Sequence, residues 1–303
     1  MKILVTGGSG FVGKTVIRQL VSFQTNVKIL SLSLYDCITD IHTDGVERYC
    51  CDLAEKETYE GKVKEFQPDV VIHLAWQGIP DFSLEKCLCN INTAVTFFST
   101  VFETGCKKIM VSGSCFEYNK AFGECNESDI CLSKDYFTWA KNTIHDLLRF
   151  ECAKRDITLC WVRFFYVYGP MQRKESLVPT LIRSLQSGVV PDLRTPKNAN
   201  DFIYVDDVAA GLAKMTALDI YSGIYNFGSG ISTPVIEVSR IVENALYGTS
   251  GLTSELERKT ATTQQAVNFW ANMEKTIQSL GWSPTARLED GIRNTLKANS
   301  NKR

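Results

Sequence analysis

The 303 residues carry 33 Lys and Arg against 34 Asp and Glu, a formal net charge of -1, with 44% hydrophobic and 22% charged side chains. That balance belongs to an ordinary globular protein with a large core and excludes a disordered, collagenous or coiled-coil chain. It offers no basic field to hold nucleic acid or an anionic membrane, so neither is an expected partner.

In chain order, strands are expected at Lys2–Thr6, Val27–Leu32, Val46–Cys50, Val70–Leu74, Lys108–Ser112 and Leu159–Phe164. Between them, Gly13–Phe23, Ala54–Phe66, Asn92–Gly105 and Phe137–Arg155 place apolar residues at i, i+3 and i+4, the helical period. Strands alternating with helices predict an α/β protein with a doubly wound, Rossmann-type parallel sheet. After Gly169-Pro170 the pattern loosens, with Pro179, Pro191 and Pro196 around one helix at Leu177–Ser187. A strand at Phe202–Val205, a helix from Asp206, a strand at Gly223–Asn226 and a helix–turn–helix over Asn272–Lys297 follow. This predicts a smaller, partly interleaved C-terminal substrate lobe: residues 1–168 plus about 201–228 for the sheet domain, about 169–200 and 229–303 for the lobe.

No apolar run approaches the roughly 18 residues of a membrane helix, and the apolar start is too short for a secretory signal, so a cytoplasmic protein is expected. The 11 cysteines are scattered, and Cys50-Cys51 and Cys87-Leu88-Cys89 lack zinc spacing. They read as reduced, mostly buried thiols. His42, His73 and His145 form no ligand cluster, and no metal is predicted.

Thr6-Gly7-Gly8-Ser9-Gly10-Phe11-Val12-Gly13 follows the first strand and opens the first helix, the setting in which such a glycine triplet carries chemistry. Gly7 permits a tight turn, Gly10 lets a pyrophosphate approach the helix N-terminus, and Gly13 permits close packing.

Later segments follow the same theme. Cys51-Asp52-Leu53, His73-Leu74-Ala75-Trp76, Ser112-Gly113-Ser114-Cys115-Phe116-Glu117-Tyr118, Arg163-Phe164-Phe165-Tyr166-Val167-Tyr168-Gly169-Pro170, Asp201–Ala209, Tyr225–Gly230 and Leu280–Pro284 occur in order. Together with the glycine turn they resemble the extended short-chain dehydrogenase/reductases, the NAD-dependent epimerase/dehydratases acting on nucleotide sugars, nearly from end to end. The resemblance implies cofactor contacts from Gly7, Ser9, Gly10, Phe11, Val12, Gly13, Asp52, Leu53, Leu74, Ala75, Trp76, Ser112, Lys141 and Phe164. Asp52 is read as a cofactor contact rather than a turn cap. His73 is read as a core histidine, and Asp206 and Asp207 as the N-cap and first turn of a helix.

NAD-preferring members of such folds end the second strand with an acidic residue that binds the ribose hydroxyls. Ser31 takes that position, nothing there repels a 2′-phosphate, and NADP is preferred over NAD as the expected cofactor.

The resemblance also implies a catalytic Tyr four residues before Lys141, with Ser114 as the partner hydroxyl. That place holds Phe137, and the neighbouring Tyr136 lies about 140° from Lys141 on a regular helix. Phenylalanine has no proton to give. The expected catalytic set is Ser114, Tyr136 and Lys141, the tyrosine reaching inward if the first turn is irregular, with Tyr118, Glu117, Cys115 and Tyr166 as substitutes.

Cys115 and Phe116 replace the Asp-Glu pair of 4,6-dehydratases, which disfavours that reaction. Cys115, Phe116, Tyr166, Arg173 and Arg183 are the expected substrate contacts, the arginines supplying charge-assisted bonds to a diphosphate. The leading expectation is an NAD(P)-dependent oxidoreductase at carbon 4 of a nucleoside-diphosphate sugar, a 4-keto-6-deoxyhexose reductase or 4-dehydrogenase. A 4-epimerase and a non-catalytic dinucleotide-binding sensor are the alternatives. The resemblance further implies a homodimer formed through the helices at Asn92–Gly105 and Phe137–Arg155.

Overall fold

The computed structural model describes residues 1–23, 26–35, 44–262 and 264–300; His42 lies outside the described residues. The first half contains β1 (Lys2–Thr6), α1 (Phe11–Phe23), β2 (Lys28–Ser33), β3 (Val46–Cys50), α2 (Glu60–Phe66), β4 (Val70–His73), α3 (Leu84–Val101) and β5 (Lys108–Ser114). It continues through β6 (Phe122–Cys125), α4 (Tyr136–Lys154), β7 (Thr158–Phe164), β8 (Tyr166–Tyr168), α5 (Leu177–Gln186), β9 (Ala199–Tyr204) and α6 (Val205–Ala217). The remainder is β10 (Gly223–Phe227), β11 (Ser232–Pro234), α7 (Val235–Tyr247), α8 (Gly251–Lys259), β12 (Asn268–Ala271), α9 (Glu274–Leu280) and α10 (Leu288–Ser300).

Seven strands form a sheet in the order β3-β2-β1-β4-β5-β7-β10, and every pair from β3 through β7 is parallel. The chain leaves β1 in one direction toward β2 and β3 and returns to β4 on the other side. The crevice outside the C-terminal ends of β1 and β4 is therefore the topological switch point, where such sheets bind ligands. Both faces of these strands are covered, and β1 and β4 are buried almost throughout. Leu4, Leu30, Val71, Ile109 and Trp161 from the strands meet Phe97 and Phe98 of α3 and Ile144 and Leu148 of α4 in one apolar cluster. Truncating one such side chain to Ala costs about 2–5 kcal/mol.

The chain divides into two compact units. The first comprises Met1–Asn119, Ser128–Phe164 and Ala209–Tyr225, the second Lys120–Glu127, Phe165–Val208 and Asn226–Arg303. The division differs from the expected boundaries, because 120–127, 165–168, 201–208 and 226–228 belong to the second unit. The reason is strand pairing. β6 pairs with β12, and β8 with β9, in a second sheet of order β11-β9-β12-β6.

At the centre of that unit the fully buried Asp201 accepts hydrogen bonds from Ser229 N–H (2.6 Å), Gly230 N–H (2.9 Å) and Ala271 N–H (3.1 Å). Asp207 accepts from Thr285 and Ala286 N–H, both at 3.0 Å. Because α6 begins at Val205, Asp206 and Asp207 sit in its first turn and neither is its N-cap. Two helices also start differently from expectation. Helix α3 begins at Leu84, where Ser83 accepts from Lys86 N–H, and the expected helix over 54–66 is a 3₁₀ turn, Lys56–Thr58, followed by α2.

Candidate active site

In the first unit, β1 runs directly into the glycine turn. Gly7 has φ +71°, and a Cβ there would lie 3.0 Å from Ala75 N. At Gly13 a Cβ would lie 2.2 Å from the Gly7 carbonyl oxygen, so only glycine lets α1 seat against the turn. No acidic residue occupies the first turn of α1, which leaves its N-terminal partial positive charge available to an anion.

This turn forms one wall of a cavity of about 440 Å³. Of the expected cofactor residues, Gly7, Ser9, Gly10, Leu53, Leu74, Ala75, Trp76 and Lys141 line it. Phe11, Val12, Gly13, Ser112, Asp52 and Phe164 do not. Phe11 to Gly13 are drawn into α1, Ser112 contributes its carbonyl to Lys141, and Asp52 closes its own turn by accepting from Ala54 N–H at 2.9 Å and also takes Gln77 Nε2–H at 3.0 Å.

Ser31 requires correction as well. It is buried with its Oγ packed under Gly8, where a Cβ would lie 2.0 Å from it. Of the two β2 serines it is Ser33, the last residue of the strand, that lines the cavity, where it accepts from Ser9 N–H at 3.0 Å. Its position at the strand end was the available signal, and placing the strand end one residue early obscured it. Among the described residues, no carboxylate lines the cavity.

Lys141, on the second turn of α4, is 6% exposed and reaches the cavity wall. Its Nζ donates to the Ser112 carbonyl at 2.8 Å and lies 4.1 Å from the Trp76 ring centroid and 5.9 Å from that of Phe137. Phe137 packs edge-on to Trp76 and against Phe82, a residue that sequence reasoning missed. Burial pushes the Lys141 ammonium down to about 8, and the nearby Glu117 carboxylate opposes that shift.

Glu117 is fully buried and fully engaged. Its Oε1 accepts from Ser114 N–H at 2.7 Å, and its Oε2 accepts from Trp161 Nε1–H at 2.9 Å and Arg163 Nε–H at 2.7 Å. A Cβ at Gly113 would lie 2.4 Å from Trp161 Nε1, so the backbone from Ser112 to Ser114 is held from both sides. Ser114 Oγ accepts from Phe116 N–H at 3.2 Å and caps the 3₁₀ turn Cys115–Tyr118. Cys115 and Tyr118 are buried in that turn, whereas Phe116 is exposed.

Tyr136 does not join this group. Asp135 caps α4 by accepting from Thr138 N–H at 2.8 Å, which makes the first turn regular, and Tyr136 is 51% exposed. An irregular first turn was the condition for its inward reach, and that condition is not met. His73 is buried as expected, its Nδ1 2.9 Å from Thr6 Oγ1 and its ring stacked on Phe97, and it also lines the cavity. Burial pushes its imidazolium down to about 3. Within the second unit, Tyr166 packs on Phe202 and Phe269, and Arg173 and Arg183 are exposed.

A parallel sheet with its crevice at the switch point and a glycine turn opening α1 defines a Rossmann-type dinucleotide-binding fold. Residues 3–228 match the NAD dependent epimerase/dehydratase family, and the chain belongs to that family of enzymes. It is similar to the dTDP-4-dehydro-6-deoxyglucose reductase of Escherichia coli, at 26% identity over 98% of this chain and 96% of that protein. Its fold is similar to that of UDP-glucose 4-epimerase from Thermotoga maritima, solved with UDP-glucose, at TM-score 0.82 and 20% identity over 100% of this chain and 99% of the other. The dTDP-glucose 4,6-dehydratase of Bacillus anthracis, solved with NAD, also gives TM-score 0.82, at 18% identity over 99% and 97% of the two chains. Among the described residues, no helix is long and apolar enough to cross a membrane.

Proposed function

We propose that this enzyme transfers a hydride at carbon 4 of a nucleoside-diphosphate sugar, as a 4-keto-6-deoxyhexose reductase or the reverse 4-dehydrogenase. The observation that carries the reading is the meeting, on one cavity, of the glycine turn with a buried lysine anchored to the strand that ends in Ser114. The near full-length similarity to a reductase of a 4-keto nucleotide sugar supports the substrate class.

A dinucleotide fits the donor set. Gly7, Ser9 and Gly10 would hold its pyrophosphate, Leu53 its adenine end, and Lys141 the nicotinamide ribose. When bound, the nicotinamide supplies the hydride. Ser114 would hydrogen-bond the sugar 4-oxygen, and Cys115, Phe116, Tyr166, Arg173 and Arg183 would contact the sugar nucleotide.

NADP is the preferred cofactor in this reading, because the described lining residues include Ser33 and no carboxylate to repel a 2′-phosphate. A homodimer through α3 and α4 belongs to it too, since Leu84, Leu88 and Val95 on α3 and Phe150 on α4 remain exposed. A cytoplasmic setting is consistent with Cys51, Cys87, Cys106 and Cys152, buried thiols that form no disulfide.

Thermal melts with NADPH, NADP, NADH and NAD, followed by oxidation of the best reduced form with nucleoside-diphosphate 4-ketohexoses, test the proposal. The expected result is one dominant shift and loss of the reduced cofactor. Equal melts with all four, or a bound dinucleotide that no 4-keto sugar oxidises, overturns it. A Ser33→Asp variant should turn the preference from NADP toward NAD by at least about tenfold.

A further inference from the structure

Hydride addition to a carbonyl carbon leaves its oxygen short of one proton. Among the described residues, the titratable side chains lining the cavity are Tyr35, Cys51, His73 and Lys141. Tyr35, two residues beyond the end of β2, is 72% exposed. The Cys51 thiol is pushed up to about 11 by burial, and its neighbour Cys50 adds to the shift. His73 is pinned by Thr6 and its stack on Phe97, and burial keeps it neutral. Phe137 has no hydroxyl, and Tyr136 is on the outer face of α4.

Of these described lining residues, Lys141 combines access, a fixed position and a proton to exchange. One N–H is committed to the Ser112 carbonyl, and an ammonium has three. Trp76 and Phe137 shield it from water while their ring faces favour its charge. Among the described residues, the charged and titratable groups that interact with it are Glu117 after β5 and His73 on β4, and His145 lies one helical turn further along α4. Glu117 is the one whose charge favours the ammonium, and its carboxylate is held by Arg163 and Trp161.

We propose that the Lys141 ammonium itself donates the proton to the substrate oxygen, in the place where Phe137 offers none. The proposal rests on the carbonyl-reduction reading above. In the reducing direction, a hydride from a reduced nicotinamide adds to the carbonyl carbon. One N–H bond of Lys141 breaks, an O–H bond forms, and the neutral amine regains its proton from solvent. Oxidation reverses each step. Burial that brings the ammonium down to about 8 matches the group to such exchange near neutrality.

The first arm of the test needs no substrate. The pH dependence of Lys141 acetylation by acetic anhydride, read by peptide mass spectrometry, should show a midpoint near 8. Glu117→Gln should lower that midpoint and Trp76→Leu, which admits water, should raise it; the second variant serves if the first does not fold. In the second arm, single-turnover reduction of a nucleoside-diphosphate 4-ketohexose should slow about tenfold per pH unit above the same midpoint, which moves with it in the variants. Lys141→Arg keeps the charge but holds its proton, so it should bind the dinucleotide and lose at least about 10²-fold in rate.

A midpoint at the ordinary lysine value, a rate that ignores pH through this range, or an active Lys141→Arg enzyme overturns the proposal while the carbonyl reductase stands. A dinucleotide that binds while no 4-keto sugar is reduced at any pH instead removes the functional reading, and the proposal with it.

Discussion

Phe137 stands one helical turn before Lys141, its ring centroid 5.9 Å from the Lys141 Nζ. A phenyl ring thus occupies the neighbourhood where a phenol would meet the ammonium directly. The same ring packs against Trp76 and Phe82, so this position has become part of an apolar enclosure.

Phe137→Tyr restores a phenol at i−4. A general acid contributes about 10²- to 10⁴-fold, so a site lacking any proton donor should gain turnover on that scale. With Lys141 already serving, the change should stay below about tenfold. Steady-state rates of Phe137→Tyr against the parent decide between the two, and a gain of 10²-fold or more shows that no donor was present.

Glu117 and Arg163 form a buried ion pair, 0% and 3% exposed at the side chain. Removing one charge strands the other, and Glu117→Gln should cost about 3–5 kcal/mol in urea unfolding. Adding Arg163→Met removes the stranded guanidinium and should recover part of that loss. Additive losses in the double variant would show that the pair is not coupled.

His73 links stability to pH. Its folded-state value of about 3 lies below the ordinary 6.5, so between these values the unfolded chain binds a proton that the folded one does not. Stability from this group is full above the unfolded value and is lost as pH falls toward 3, at up to about 1.4 kcal/mol per pH unit. Unfolding midpoints from pH 7 to 4 should therefore fall more steeply for the parent than for His73→Asn. Parallel slopes would exclude His73 as a source.

Two glycines make opposite predictions. Gly13→Ala forces a Cβ against the Gly7 carbonyl and should destabilise the free protein by about 1–3 kcal/mol as well as weaken dinucleotide-induced stabilisation. Gly61, inside α2, has nothing within 4 Å of a built Cβ. Gly61→Ala should stabilise by about 0.4–1 kcal/mol and leave binding unchanged. Differential scanning fluorimetry with and without dinucleotide reads both.

The glycine turn, the strand that leads into Leu74 and Ala75, and the Ser114 and Lys141 positions were legible because each is a local signal, a strand meeting a turn or a fixed step along a helix. Helix geometry alone set Tyr136 about 140° from Lys141, although the expectation kept it in the catalytic set. What stayed hidden depends on partners remote in sequence. Strands β6 and β12 are four residues each and pair across more than 140 positions, and β8 has three residues, too few for an alternation to emerge. The Ser31 reading failed for a different reason: the serine that lines the cavity is Ser33, two residues further on at the true end of β2, while Ser31 is buried inside the strand.

The carboxylate of Asp201 has a consequence for the order in which the chain acquires its structure. The donor at Ala271 lies 70 residues further on. At about 5–20 residues per second of synthesis, Asp201 exists for several seconds before that donor is made. Until then, burying the carboxylate would strand a charge short of its partners, a cost that favours keeping it in water. Strands β1 to β5, all complete by residue 114, face no such wait. On a ribosome the nucleotide-binding strands can therefore associate early, whereas the sheet around Asp201 closes among the last events of vectorial folding.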